Sequence, residues 1–263
     1  VHTPEFTFAQ YESNVERGVR EFGLTYPVVV DSNYELWKAF ANRAWPAKYL
    51  IDKDGYVRYF HYGEGHYQET EEQIQELLRE ANPSLTFQPP MPLLREEDKP
   101  GAICYQPTPE LYLGNRRGRL ANDGGFREGT ADYALPANLE ENDCAIEGRW
   151  AATVEYLETA GEGEHRLVLR YSAAAVNLVM ASHGGGEREV RVRQDGQPLP
   201  QAAATGDVTF RGDDSHIAVE RPRMYAVVDN HDFGEHLLEL SCRAPGLALY
   251  AFTFTSCVAA KSS

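Results

Sequence analysis

Two hydrophobic rhythms divide the chain. Up to about residue 82, apolar positions alternate between helical and strand spacing. Phe8, Tyr11, Val15, Val19 and Phe22 share one helical face, which predicts a helix over 4–22 with Thr3 as its N-cap, Glu5 in its first turn and Gly23 as its stop. Tyr26-Pro27-Val28-Val29-Val30 reads as a short buried strand ending in Asp31-Ser32-Asn33. A helix from Asn33 to Arg43 would carry Leu36, Trp37 and Phe40 on one face. Strands over 47–52 and 56–61 flank Lys53-Asp54-Gly55, a hairpin signal because Asp-Gly accepts the positive φ of a tight turn. Thr70 to Ala81 predicts a closing helix with Ile74, Leu77 and Leu78 apolar, and its Thr70-Glu71-Glu72-Gln73 start has the form of a capping box.

From Glu110 to Val258 the rhythm becomes that of successive short strands. They are predicted over 150–157, 165–171, 175–180, 189–193, 216–220, 223–228, 236–240 and 248–254. Turns at Gly184-Gly185-Gly186, Asp195-Gly196 and Pro245-Gly246 separate them. Period-2 alternation without a convincing helix predicts an antiparallel β-sandwich or jelly roll. Between the two parts, 83–109 is proline-rich and carries the charged run Arg95-Glu96-Glu97-Asp98-Lys99, so it should neither pair as sheet nor continue a helix. It reads as a plain spacer or as an extended wrap over the surface. The expected domains are therefore 1–82, a linker over 83–109, a sandwich over 110–258 and a tail over 259–263.

Composition narrows the function. Of 263 residues, 42% are hydrophobic and 25% charged, the balance of a globular protein that can bury a core. Lys and Arg number 25 against 40 Asp and Glu, a formal net charge of −15. That acidity excludes a phosphate-tracking nucleic-acid binder and a polybasic membrane-surface protein. No apolar run approaches the roughly 20 residues of a membrane span. The start at Val1-His2-Thr3-Pro4 shows neither an initiator Met nor a signal-peptide layout, so the chain is expected to begin inside something longer.

The four cysteines, Cys104, Cys144, Cys242 and Cys257, contain no Cys-x-x-Cys and allow three full pairings. A structural disulfide and buried free thiols both stay open, and the spacing excludes a zinc site.

The string Val1-His2-Thr3-Pro4-Glu5-Phe6, then Tyr26 to Asp31, Trp45-Pro46 running into Ala47 to Asp52, and Gly63-Glu64-Gly65-His66-Tyr67 together resemble the second half of a thioredoxin-like domain of the redoxin type, as in DipZ-type proteins. Thr108 to Gly114 and Leu249 to Phe254 resemble the carbohydrate-binding-module-like sandwich that follows it in that family. The resemblance implies an incomplete α/β thioredoxin-like domain joined to an all-β domain. It implies an extracytoplasmic (periplasmic or cell-envelope) thiol–disulfide oxidoreductase without cofactor, acting on disulfide-bearing protein substrates with an unknown electron donor. Pro46 would be the cis-proline facing the redox cysteines, Trp45 would line the substrate groove, and Glu64 would be a proton relay. From sequence alone a Trp-Pro bond is expected trans, and Glu64 reads equally as a turn carboxylate between two glycines.

The departure from the family is the Cys-x-x-Cys, which belongs upstream of Val1 at the start of a helix that lowers its thiol pKa. The strand leading to it is absent too, which predicts a gap between the segment at Val1–Thr3 and the strand over 47–52. These residues alone should have little redox activity. The alternative is a non-catalytic carbohydrate- or protein-binding module on a thioredoxin scaffold, with self-association also open.

Other chemistry is weaker. His231, Asp232, Glu235 and His236 are the densest set of metal-ligand types but read better as a polar loop entering a strand, so no metal site is assigned. Sugar stacking would draw on Tyr105, Tyr112, Tyr133, Trp150, Tyr156, Tyr171, Tyr225 and Tyr250, most of which alternate like core positions. Arg221, Arg223 and Tyr225 form a candidate polar patch or a solvated face. Neither a phosphate loop nor a serine-hydrolase or zinc-protease motif occurs.

Overall fold

A computed structural model describes residues 1–93, 95, 98–258, and the expected tail over 259–263 lies outside the described residues, as do Leu94, Glu96 and Glu97. The chain separates into two units, Val1–Pro100 and Gly101–Ser263, so the boundary falls within the proline-rich stretch.

The first unit holds α1 (Glu12–Glu21), α2 (Glu35–Ala39), β1 (Ala47–Ile51), β2 (Val57–Tyr62) and α3 (Tyr67–Ala81). The helix expected over 4–22 is split, because Tyr11 is extended and separates α1 from a 3-10 turn at Thr7–Gln10. Asn14 donates its amide to the Phe8 carbonyl at 2.7 Å and holds that break. Thr3 is no N-cap, its hydroxyl donating instead to Asp31 at 3.2 Å. The strand expected over 26–30 is reduced to one parallel bridge between His2 and Val30. Asn33–Arg43 shortens to α2.

β1 and β2 form the expected hairpin, with Gly55 at φ 89°. The Asp52 carboxylate accepts from the backbone N–H groups of Asp54 and Tyr56 at 3.0 and 2.9 Å and fixes the turn. α3 begins before Thr70, whose hydroxyl donates to the His66 carbonyl one turn back at 2.6 Å, so Thr70 sits inside the helix and caps nothing. After α3 the chain lies along it: Gln75 and Gln68 donate to the Gln88 and Met91 carbonyls, and Arg79 covers the Phe87 ring.

Among its described residues the second unit is all β apart from a 3-10 turn at Gln201–Ala203. Its strands are β3 (Ile103–Cys104), β4 (Leu111–Tyr112), β5 (Gly129–Tyr133), β6 (Cys144–Ala152), β7 (Leu157–Thr159), β8 (His165–Ser182), β9 (Arg188–Gln194), β10 (Gln197–Pro198), β11 (Val208–Arg211), β12 (Asp214–Val219), β13 (Arg223–Cys242), β14 (Leu247–Thr255) and β15 (Cys257–Val258). Strands β4 to β14 make one antiparallel system, and β3 pairs with β15 in a sheet of their own. Pairing at Ile103–Cys104 corrects the expectation that 83–109 takes no part in sheet.

Four strands close a circuit: β6 pairs with β7 and β8, β7 with β14, and β14 with β8. The first half of β8 lies against β6 and the second half against β14, so one strand serves two neighbours in turn. The two strands expected over 165–171 and 175–180 are thus one, as are those over 223–228 and 236–240. Asp229 to Gly234, expected as a loop, is a bulge inside β13. A ring of side-chain hydrogen bonds supports it: Tyr171 donates to Gln194, Gln194 to Asn230 and Asn230 to Tyr171, at 2.7, 2.9 and 3.1 Å. The strand expected over 150–157 is instead the end of β6, a turn in which the Thr153 hydroxyl accepts from the Glu155 and Tyr156 N–H groups, and the start of β7.

The core of this unit contains Trp150, 1% exposed, with Leu167, Leu169, Tyr171, Leu178, Met180 and Phe252. Within Thr108 to Gly114, the buried Thr108 exchanges two hydrogen bonds with Ser172, each 2.8 Å. Gly114 packs so closely that an added Cβ would fall 2.4 Å from the Glu155 backbone. Gly114→Ala should therefore cost about 1–3 kcal/mol, as overpacking does, and a lower urea midpoint of the second unit would show it.

Candidate functional site

The first unit has almost no core. Pro4 and Phe6 are its only buried apolar side chains among the described residues. The apolar face expected over 4–22 is only partly covered: Tyr11 and Phe22, at either end of α1, are 59% and 80% exposed, and Val15 and Val19 are half-buried. Val15 and Val19 face Tyr26, Val28 and Val30 across an open groove of about 330 Å³. A second groove, about 510 Å³, runs between His2 and β1. Leu36, Trp37 and Phe40 lie in its wall, with Ala47, Tyr49 and Ile51 from alternate positions of β1. Among the described residues β1 pairs with β2 alone, and one face of it lines this groove.

Trp45 and Pro46 stand on the same groove, and the bond between them is cis. Trp45 is 44% exposed, stacks on Trp37 with centroids 4.1 Å apart, and donates its indole N–H to the Thr3 carbonyl at 3.0 Å. The Pro46 carbonyl accepts from Gly63 N–H at 2.8 Å, which places the 63–65 turn beside it. Glu64 is exposed in that turn; its carboxylate accepts the Tyr67 hydroxyl and lies 3.8 Å from Arg95. Glu64 does not line the groove.

Asp31 supports the groove wall from behind. Its buried carboxylate accepts from the N–H groups of Glu35, Leu36 and Trp37 at 2.7, 3.1 and 2.9 Å. Burial opposes ionisation, but these donors, with Thr3, outweigh it and hold the carboxyl below its ordinary range. A depressed native pKa gives stability that is present above the unfolded value, about 4, and lost as pH falls through the native one. The first unit should accordingly loosen in acid below about pH 4, and Asp31→Asn should flatten that acid limb. Trp37 fluorescence against pH reads both.

The cysteines divide. Cys104 and Cys257 form a disulfide, and Cys144 and Cys242 are buried thiols. Burial and the neighbouring Asp143 push the Cys144 thiol up to about 12, and burial raises Cys242 as well, so neither is a thiolate near neutral pH.

The metal-type residues point apart. His231 pairs with Asp229, His236 with Asp195 at 2.7 Å, and Glu235 with Arg170. Among the described residues no group of three or more such side chains could hold a metal ion. Of the candidate stacking aromatics, Tyr133, Trp150, Tyr171, Tyr225 and Tyr250 are buried. Arg223 lies over the Tyr225 ring at 3.6 Å and binds Asp207 through both guanidinium nitrogens, a clamp within the sheet.

One cluster had no sequence signal. Glu158, His183 and Tyr250 meet from β7, the turn after β8, and β14, with His183 Nδ1 2.6 Å from Glu158 and Nε2 3.3 Å from the Tyr250 hydroxyl. Tyr250 is 2% exposed, so the row runs from the half-buried Glu158 into the interior.

Residues 108–255 match the family described as thioredoxin like C-terminal domain, and the chain belongs to that family. It is similar to the DipZ proteins of Mycobacterium tuberculosis and Mycobacterium bovis, 37% identical over 202 residues, 75% of this chain and 28% of theirs. The chain thus spans little more than a quarter of those relatives. It is also 31% identical over 80 residues to thiol-disulfide oxidoreductase YkuV of Bacillus subtilis, 30% of this chain and 54% of that one. The chain is a thioredoxin-like protein of the DipZ type. A family two carbohydrate esterase from Cellvibrio japonicus has a TM-score of 0.34 and 16% identity, over 51% of this chain and 36% of that one, too slight a likeness to bear on fold or function. No described helix is long and apolar enough to cross a membrane.

Proposed function

We propose that the chain is the substrate-facing part of an extracytoplasmic thiol–disulfide oxidoreductase, with its sandwich appended. The groove between His2 and β1 receives the strand that leads into a Cys-x-x-Cys helix. The attacking thiolate then stands against Trp45 and Pro46, where a disulfide-bearing protein lies. The observation that carries this reading is the groove itself, about 510 Å³ between two strand segments with Trp45 and Pro46 on it. The relatives' names agree with the chemistry. The Cys104–Cys257 disulfide fits an oxidising compartment.

No cysteine precedes Cys104, so the exchanging pair comes from outside these residues, as do the electrons. The test is insulin-disulfide reduction by a chain extended upstream through its Cys-x-x-Cys. Activity in the extended chain and none in the 263 residues is expected. An extended chain with the pair and no activity overturns the reading and leaves a binding protein. Glu64 is the proton-relay candidate in this scheme: Glu64→Gln in the extended chain should shift the pH profile of exchange. An unchanged profile would confine Glu64 to its contacts with Tyr67 and Arg95.

A further inference from the structure

The Cys104–Cys257 disulfide has three properties that a purely internal staple does not need. Its Cys104 half is exposed, whereas Cys257 is half-buried and the two free thiols are buried. It joins directly opposed residues of β3 and β15, a two-stranded sheet outside the main strand system. Finally, Cys104 is flanked by Ile103 and Tyr105, both 47% exposed.

β3 has β15 as its one strand neighbour among the described residues, so an incoming extended backbone has an edge to meet. An exposed disulfide half on extended backbone is open to approach by a dithiol protein, with Ile103 and Tyr105 exposed on the opposite face of the strand. Exposed disulfides are also those that exchange most readily.

We propose that Cys104–Cys257 is a thiol-exchange site, reduced by a dithiol protein of the thioredoxin class. The partner's thiolate attacks Cys104 Sγ, the Cys104–Cys257 bond breaks, and Cys257 leaves as a thiolate that takes a proton from water. The partner's second thiolate then attacks its own sulfur in the mixed disulfide and releases Cys104. Two electrons pass from the partner's dithiol, which becomes a disulfide, to the pair on this chain. The product keeps the 11-stranded system and loses the covalent tie between residues 153 positions apart, leaving β3 and β15 held by backbone pairing and by the Tyr105–Phe233 stack at 4.6 Å.

The proposal does not depend on the reading of the first unit, because the test supplies the dithiol from outside. The folded 263-residue chain is mixed with a thioredoxin whose second active-site cysteine is serine, quenched with acid and mapped by mass spectrometry. One mixed disulfide per chain, on Cys104, is expected. Intact reduced thioredoxin should then open the bond while the far-ultraviolet circular dichroism stays native and Cys144 and Cys242 resist alkylation. An adduct formed only after unfolding in urea overturns the proposal. So does an adduct on Cys257, Cys144 or Cys242, or loss of the native spectrum as the bond is reduced.

Discussion

A chain with serine at both Cys104 and Cys257 unfolds in urea at a markedly lower midpoint than the disulfide-bonded chain. The crosslink spans a sequence separation of 153, and the chain entropy of a loop that long corresponds to about 5 kcal/mol. Structure remaining in the denatured chain reduces this, so the expected loss is about 2–5 kcal/mol. Because the effect acts on the unfolded chain, the urea dependence should also steepen as that chain expands. Far-ultraviolet circular dichroism follows it, since the strands lie mostly in the second unit. An unchanged midpoint would mean that β3 and β15 separate before the rest of the unit unfolds.

The second large effect belongs to the first unit. A chain extended by the strand that fills the groove should unfold there with a sharp cooperative transition, and the 263 residues alone should unfold there without one. A large apolar side chain taken fully from water contributes about 1.5–3 kcal/mol. Leu36, Trp37 and Tyr49 are half-covered and Ile51 is 50% exposed, so their joint gain is on the order of 5 kcal/mol. Trp37 and Trp45, stacked at the groove, report it by fluorescence. The same extension in a Trp37→Ala chain should recover visibly less.

Legibility followed the range of the interaction. The Asp54-Gly55 turn was plain because Asp52 and Gly55 satisfy it within five residues. Alternation makes the all-β character of the second unit plain, yet it divides β8 and β13 into two strands each. Ser172 to Ala175 lack bulky apolar alternation, and Asp229 to Gly234 carry the polarity of a loop although they form a bulge supported by Tyr171, Gln194 and Asn230. The capping pattern at Thr70 misled because His66, at φ 54°, starts α3 one turn earlier.

Trp45 and Pro46 were legible only through resemblance, since a sequence carries no sign of a cis bond. The expected gap has the same source; a groove lies between the Val1–Thr3 segment and β1. The cysteine pairing stayed open because partners 153 residues apart leave no local trace. The Glu158–His183–Tyr250 row was invisible for the same reason, with each member on a different stretch of chain.

The central claim is that a strand from elsewhere in the polypeptide occupies the groove beside Trp45 and Pro46. Amide hydrogen exchange over Ala47–Ile51, compared between the 263 residues and a chain extended upstream, tests it most directly. The account predicts that peptides covering β1 gain protection by orders of magnitude on extension while those of β8 do not change. Equal exchange of β1 in both chains would contradict it.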